Sequence, residues 1–84
     1  MDEAALKNSL RVYRAAKELT QADLAELIGV TRKSINAIEQ GRMVPSTILA
    51  LRLAHALGTT VEDIFSLDDF DLSAITKRLS MPRI

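Results

Sequence analysis

A chain of 84 residues is sized for one small domain, and its 11 Lys plus Arg against 11 Asp plus Glu is not the basic balance usually sought in a nucleic-acid binder. The absence of cysteine excludes a disulfide framework and a thiolate metal site. No run of about 20 apolar residues is available to cross a membrane, and nothing resembles a signal peptide, so a cytoplasmic protein is expected. Hydrophobic residues at 48%, with only three aromatics and many Leu and Ala, suit a small all-α bundle with no sheet.

Leu6, Leu10, Tyr13 and Ala16 recur at three-to-four spacing and predict a first helix over residues 5–17, with Asp2 and Glu3 near its positive end. Thr20 is the next N-cap candidate. Leu24, Leu27 and Ile28 follow it at helical spacing, which predicts a second helix over 21–28. Gly29 can take positive φ at that helix's end, and Val30 is apolar enough to tuck under the turn. Thr31 caps a third helix over 32–40. At about 100° per residue, Ile35 and Ile38 fall on one side of it and Arg32, Lys33, Asn36 and Gln40 on the other, with the small Ala37 beside them. Two short helices, a glycine-containing turn and a donor-rich outer arc on the second helix make a helix-turn-helix.

Gly41 is the expected left-handed cap of the third helix, and Arg42 to Pro45 form a loop. Ser46 then caps a fourth helix that Ile48, Leu49, Leu51, Leu53, Ala54 and Leu57 make apolar over a broad arc, and Gly58 stops it. Thr60 with Asp63 caps a fifth helix of one or two turns around Val61, Ile64 and Phe65. Beyond Ser66 the acidic run Asp68, Asp69 and Asp71 precedes a periodic segment of Leu72, Ile75 and Leu79. Asp71 is placed to cap it, Phe70 and Ile75 to staple it, and Pro82 to end it. Charge is segregated: residues 1–55 hold eight of the 11 basic and six of the 11 acidic side chains. A neutral chain with that distribution can still present a local basic face.

The segments TQADLA, IGVT, SINAIEQG and the following PS and LALRLAHALG carry a resemblance to the lambda-repressor/Cro family of helix-turn-helix domains, also called the Xre family. It covers roughly residues 8–66 and rests on several motifs in the right order. It implies an all-α, five-helix lambda-repressor-like bundle, to which 67–84 adds a short C-terminal helix and a candidate dimerisation segment. No linker or repeat divides the chain, so residues 1–84 are read as a single domain.

The same resemblance implies which residues face DNA. They are Gln21, which in the family binds a phosphate and braces a recognition-helix side chain, then Thr31, Arg32, Lys33, Ser34, Asn36, Ala37, Gln40 and, in the following loop, Arg42. Arg14 and Glu39 match a family pair that forms a partly buried salt bridge, a structural role. Glu18 departs from the pattern. The family usually has glycine or asparagine where the first helix closes in the left-handed conformation, so glutamate there is expected to carry about 1 kcal/mol of strain.

The lone His55 has no metal-ligand partner at a suitable spacing, neither Ser34 nor Ser46 has the signature of an activated nucleophile, and no glycine-rich phosphate loop is present. No catalytic residue, metal or cofactor is assigned, and an enzyme is not expected. The leading expectation is a transcriptional regulator that binds double-stranded DNA as a homodimer on a palindromic operator, with helix 32–40 in the major groove. The alternative, motivated by net neutrality and the acidic tail, is a protein-interaction module: an antitoxin-type or sigma-factor-binding partner with secondary DNA binding. The tail's apolar stripe is equally suited to its own core or to a neighbour.

Overall fold

The computed structural model describes residues 6–80. Six helices and one two-stranded sheet are found there: β1 (Leu6–Asn8), α1 (Leu10–Ala16), α2 (Gln21–Ile28), α3 (Arg32–Glu39), α4 (Thr47–Leu57), α5 (Val61–Ile64), β2 (Phe65–Leu67) and α6 (Asp69–Ser80). The expected start of the first helix at Asp2, Glu3 and Ala5, and the stop at Pro82, lie outside the described residues. So does the side chain of Phe70, expected in a staple. The backbone of Asp71 lies inside α6, two residues past its start, so Asp71 does not cap that helix.

The N-caps follow from the hydroxyl residues. Thr20, Thr31, Ser46 and Thr60 are each extended, and each side-chain oxygen accepts from the amide three residues on, removing one orphan donor per helix. Asp23 returns a bond to the Thr20 amide and completes a capping box. Asp63 instead accepts from the Thr59 hydroxyl at 2.7 Å. Both carboxylates are held below the usual range, Asp23 chiefly by the backbone bond from Thr20 and Asp63 chiefly by the side-chain bond from Thr59. At the other ends, Gly29 and Gly41 sit at φ 77° and 75°, where a Cβ would be strained.

Glu18 takes the same conformation with a side chain, at φ 56°. The Leu19 amide donates to the Arg14 carbonyl and the Glu18 amide to that of Ala15, the paired bonds of a Schellman closure, so the geometry is required rather than incidental. Left-handed backbone costs an L-residue about 1 to 2 kcal/mol, partly offset by the greater chain entropy of glycine. Glu18→Gly is therefore expected to stabilise the fold by about 0.5 to 1 kcal/mol, raising Tm by roughly 5 °C in a melt followed by circular dichroism. A Tm unchanged or lower would show that the turn carries no strain.

The core is built from one or more residues of every element from α1 to β2. Leu10, Leu24, Ile35, Ile38, Leu53 and Ile64 are fully enclosed, with Ile28, Leu49, Leu57 and Phe65 around them. Val30 packs against this cluster from beneath the turn, and α2 packs closely on both α3 and α4. α4 contributes five buried residues, Leu49, Ala50, Leu53, Ala54 and Leu57, more than any other helix.

The sheet corrects two expectations. Leu6 does not extend the first helix, which starts at Leu10. Instead Leu6, Lys7 and Asn8 pair antiparallel with Leu67, Ser66 and Phe65. The helical spacing of Leu6 and Leu10 was coincidental, since Asn8 ends the strand and ties it down: its Nδ2 donates to the Ile38 carbonyl at 3.2 Å, while the Ser9 amide donates to that of Ile64 at 2.7 Å. Periodicity also overstated the apolar faces. Ala16, Leu27, Ile48 and Leu51 are exposed.

Candidate nucleic-acid interface

The outer arc of α3 meets the start of α2 because the turn at Gly29 brings the two helices into close packing through Leu24, Ile28, Ile35 and Ile38. That places Gln21, the first residue of α2, beside the middle of α3. Gln21, Arg32, Lys33 and Asn36 line a shallow cleft of about 250 Å³. An adjoining cleft of about 280 Å³ is lined by Arg11, Arg14, Gln21, Asn36, Glu39 and Gln40.

Beneath the two clefts runs a hydrogen-bond network whose polarity is set by one carboxylate. Arg14 and Glu39 form a bidentate pair, Nε to Oε2 at 2.7 Å and Nη2 to Oε1 at 3.2 Å, and their side chains are 15% and 5% exposed. Arg14 Nη1 also donates to the Leu19 carbonyl at 2.7 Å, so one guanidinium ties α1, the following turn and α3 together. Hydrogen bonding to Glu39 raises the Arg14 pKa further, against the opposing effect of burial, and the guanidinium stays charged.

An ionised Glu39 can only accept, so the Gln21 group facing it at 3.2 Å is the amide nitrogen. The same Gln21 Nε2 donates to Asn36 Oδ1 at 3.2 Å, and Gln40 Nε2 donates to that oxygen from four residues along α3, also at 3.2 Å. With Oδ1 occupied twice, Asn36 Nδ2 has no intramolecular acceptor among the described residues and is left as an outward donor.

The remaining expected residues sit around this centre rather than in it. The Thr31 and Ser34 hydroxyls lie 3.1 Å apart at the start of α3, Thr31 also taking the Ser34 amide. Ala37 is half-buried, and its carbonyl accepts from the amides of Arg42 and Met43, which folds the loop bearing the exposed Arg42 onto the end of α3. Neither cleft is lined by Thr31, Ser34, Ala37 or Arg42.

Arg11 was missed in the sequence, yet it lines the second cleft from α1. The signal was its spacing of three from Arg14, which puts both on one face of a helix. Its charge matters locally. The one carboxylate lining either cleft, Glu39, is neutralised by Arg14, so Arg11, Arg32 and Lys33 leave the site positive in a chain of zero net charge.

A helix-turn-helix family model matches residues 10–64. An uncharacterized HTH-type transcriptional regulator of Methanocaldococcus jannaschii is 48% identical over 64 residues, spanning 76% of this chain and 97% of that protein. One from Methanothermobacter thermautotrophicus is 51% identical over 65 residues, spanning 76% of this chain and 94% of that protein. Among solved structures, the restriction-modification controller protein C.AhdI from Aeromonas hydrophila superposes with a TM-score of 0.61 at 37% identity, covering 64% of this chain and 82% of that one.

Proposed function

The chain belongs to the Xre/Cro-type helix-turn-helix family, and from that premise we propose that it is a DNA-binding transcriptional regulator acting as a homodimer on a palindromic operator. The observation that carries the reading is the outward donor at Asn36, flanked by Arg32 and Lys33 and held by the Gln21, Gln40 and Glu39 network. α3 enters the major groove. Arg32 and Asn36 meet base edges, half-buried Ala37 lets the helix approach closely, and Gln40 holds Asn36 in place.

Phosphates are met by Lys33, Arg11, Arg42 and the Thr31 and Ser34 hydroxyls on the two sides of the arc. Both hydrogens of Gln21 Nε2 are engaged within the protein, so its phosphate contact is made by the main chain. Thr20 takes the Asp23 amide, and those of Gln21 and Ala22 are left at the positive end of α2. Two-fold symmetry would set the recognition helices about 34 Å apart, one turn of the duplex. Regulation then follows from occupancy of the site.

Titration of a labelled random-sequence duplex tests the reading. Three phosphate-contacting cations per protomer, Arg11, Lys33 and Arg42, give six per dimer and a slope of log K against log salt of about −5. Arg11→Ala is expected to flatten that slope by about 2 per dimer. Absence of binding at roughly tens of micromolar in low salt would favour the protein-partner alternative instead.

A further inference from the structure

Two of the apolar surfaces among the described residues bear on how copies of this chain could associate. The first is a groove of about 840 Å³ between the end of α2 and the length of α4. Its apolar walls are Leu27, Ile48 and Leu51, 63%, 64% and 58% exposed, and its rim carries Glu26 from α2 and Arg52 and His55 from α4. The second is the stripe of Leu72, Ile75 and Leu79 along α6, 47%, 51% and 82% exposed. None of the side chains lining the α3 clefts lines this groove.

Among the described residues, none from α6 lines the groove. α6 is absent from the principal packing contacts between elements, and the molecule measures 53 × 26 × 19 Å, longer than a bundle of this size needs. The connection from β2 to α6 is Asp68 alone, and β2 is held by its ladder to β1. An isolated helix of 12 residues is marginal in water, so α6 needs a partner to persist.

We propose that α6 of one copy docks in the α2–α4 groove of a second copy, reciprocally, and so forms the dimer interface. The inference rests on the homodimer reading above and gives it a location. Lengths agree: α6, at 12 residues, is about 18 Å long, and α4, at 11, about 16 Å. Charge is compatible as well. The sequence is acidic at the start of α6 and α6 carries Lys77 and Arg78 in its last turn, while the groove offers Arg52 on its α4 wall and Glu26 on its α2 wall. The exchange covers six large exposed apolar side chains per protomer, none of which the monomer protects. The family match spans residues 10–64, so the groove lies within the shared module and α6 beyond it.

The chain has no cysteine, which makes cross-linking clean. Full-length chains carrying Ile48→Cys are mixed with chains carrying Leu72→Cys, Ile75→Cys or Leu79→Cys and oxidised. At least one pairing is expected to give a covalent heterodimer, since a disulfide needs Cα atoms within about 7 Å. A chain carrying both Ile48→Cys and Ile75→Cys is expected to link between molecules, and linkage within one molecule would overturn the proposal in favour of packing in cis. Sedimentation equilibrium separates the remaining outcomes. Full-length protein is expected to be dimeric at roughly tens of micromolar, with Ile48→Glu or Ile75→Glu, both at exposed positions, weakening the dimer at least tenfold. A dimer that neither cross-links nor responds to these changes would overturn the groove and leave the homodimer standing. A monomeric full-length protein would overturn both.

Discussion

Alanine at Asn36 or Arg32 is expected to lower affinity for the selected operator by about 1 to 3 kcal/mol each and to relax preference at particular base pairs. Asn36 presents a donor, because Gln21 and Gln40 both occupy its Oδ1. Its base partner is therefore an acceptor edge, and the loss in Asn36→Ala should be confined to one position per half-site and leave random-sequence affinity almost unchanged. Arg32→Ala removes a positive charge as well, so it should also weaken binding to random duplex. Gln21→Ala has a mixed phenotype. It keeps the main-chain phosphate contact but frees Asn36 to rotate, so preference at the Asn36 position blurs. Binding measured against every single-base variant of the site reads all three, and an operator unaltered in affinity and sequence by Arg32→Ala and Asn36→Ala would show that the recognition face lies elsewhere.

The second large effect is on the fold. Glu39→Ala is expected to cost about 2 to 3 kcal/mol and roughly 10 to 20 °C in Tm, because it leaves the Arg14 guanidinium mostly enclosed without its counter-ion. An exposed ion pair would cost about a quarter of that. The variant also strips the acceptor that orients Gln21, so it should lose operator preference even well below its melting point. Changing both Arg14 and Glu39 to apolar residues is expected to cost less than the sum of the single changes, since no charge is then stranded. A Glu39→Ala Tm within about 3 °C of wild type would show that the pair contributes little.

Much of this molecule is legible from local chemistry. Thr20, Thr31, Ser46 and Thr60 announce four helix starts, and Gly29 and Gly41 announce turns, because a capping hydroxyl and a missing Cβ act within a few residues of themselves. Glu18 was legible as strain only through the family resemblance, which supplies the conformation that the turn demands. What periodicity could not supply is the partner. Leu6–Asn8 is a strand because Phe65–Leu67, more than 50 residues away, supplies its hydrogen bonds, and nothing in LKN itself favours that state over helix. Likewise Ile48 and Leu51 read as part of the broad apolar arc of α4, yet they lie on the outer face beside Arg52 and His55, while Leu49, Ala50, Leu53, Ala54 and Leu57 pack. In the interface, the resemblance pairs Arg14 with Glu39. The direction of the Gln21, Asn36 and Gln40 amides is a consequence of that carboxylate being unable to donate, which requires knowing that the four side chains meet.

Selection of bound sites from a random duplex library tests the central claim most directly, because it asks at once whether the chain reads DNA and with what symmetry. The expected product is an inverted repeat with half-site centres about 10 base pairs apart, each half-site carrying an acceptor-edge base whose enrichment disappears when the selection is repeated with Asn36→Ala. A library that emerges unenriched at low salt, or an enriched site indifferent to Asn36 and Arg32, would contradict the assignment of α3 as a DNA-reading helix.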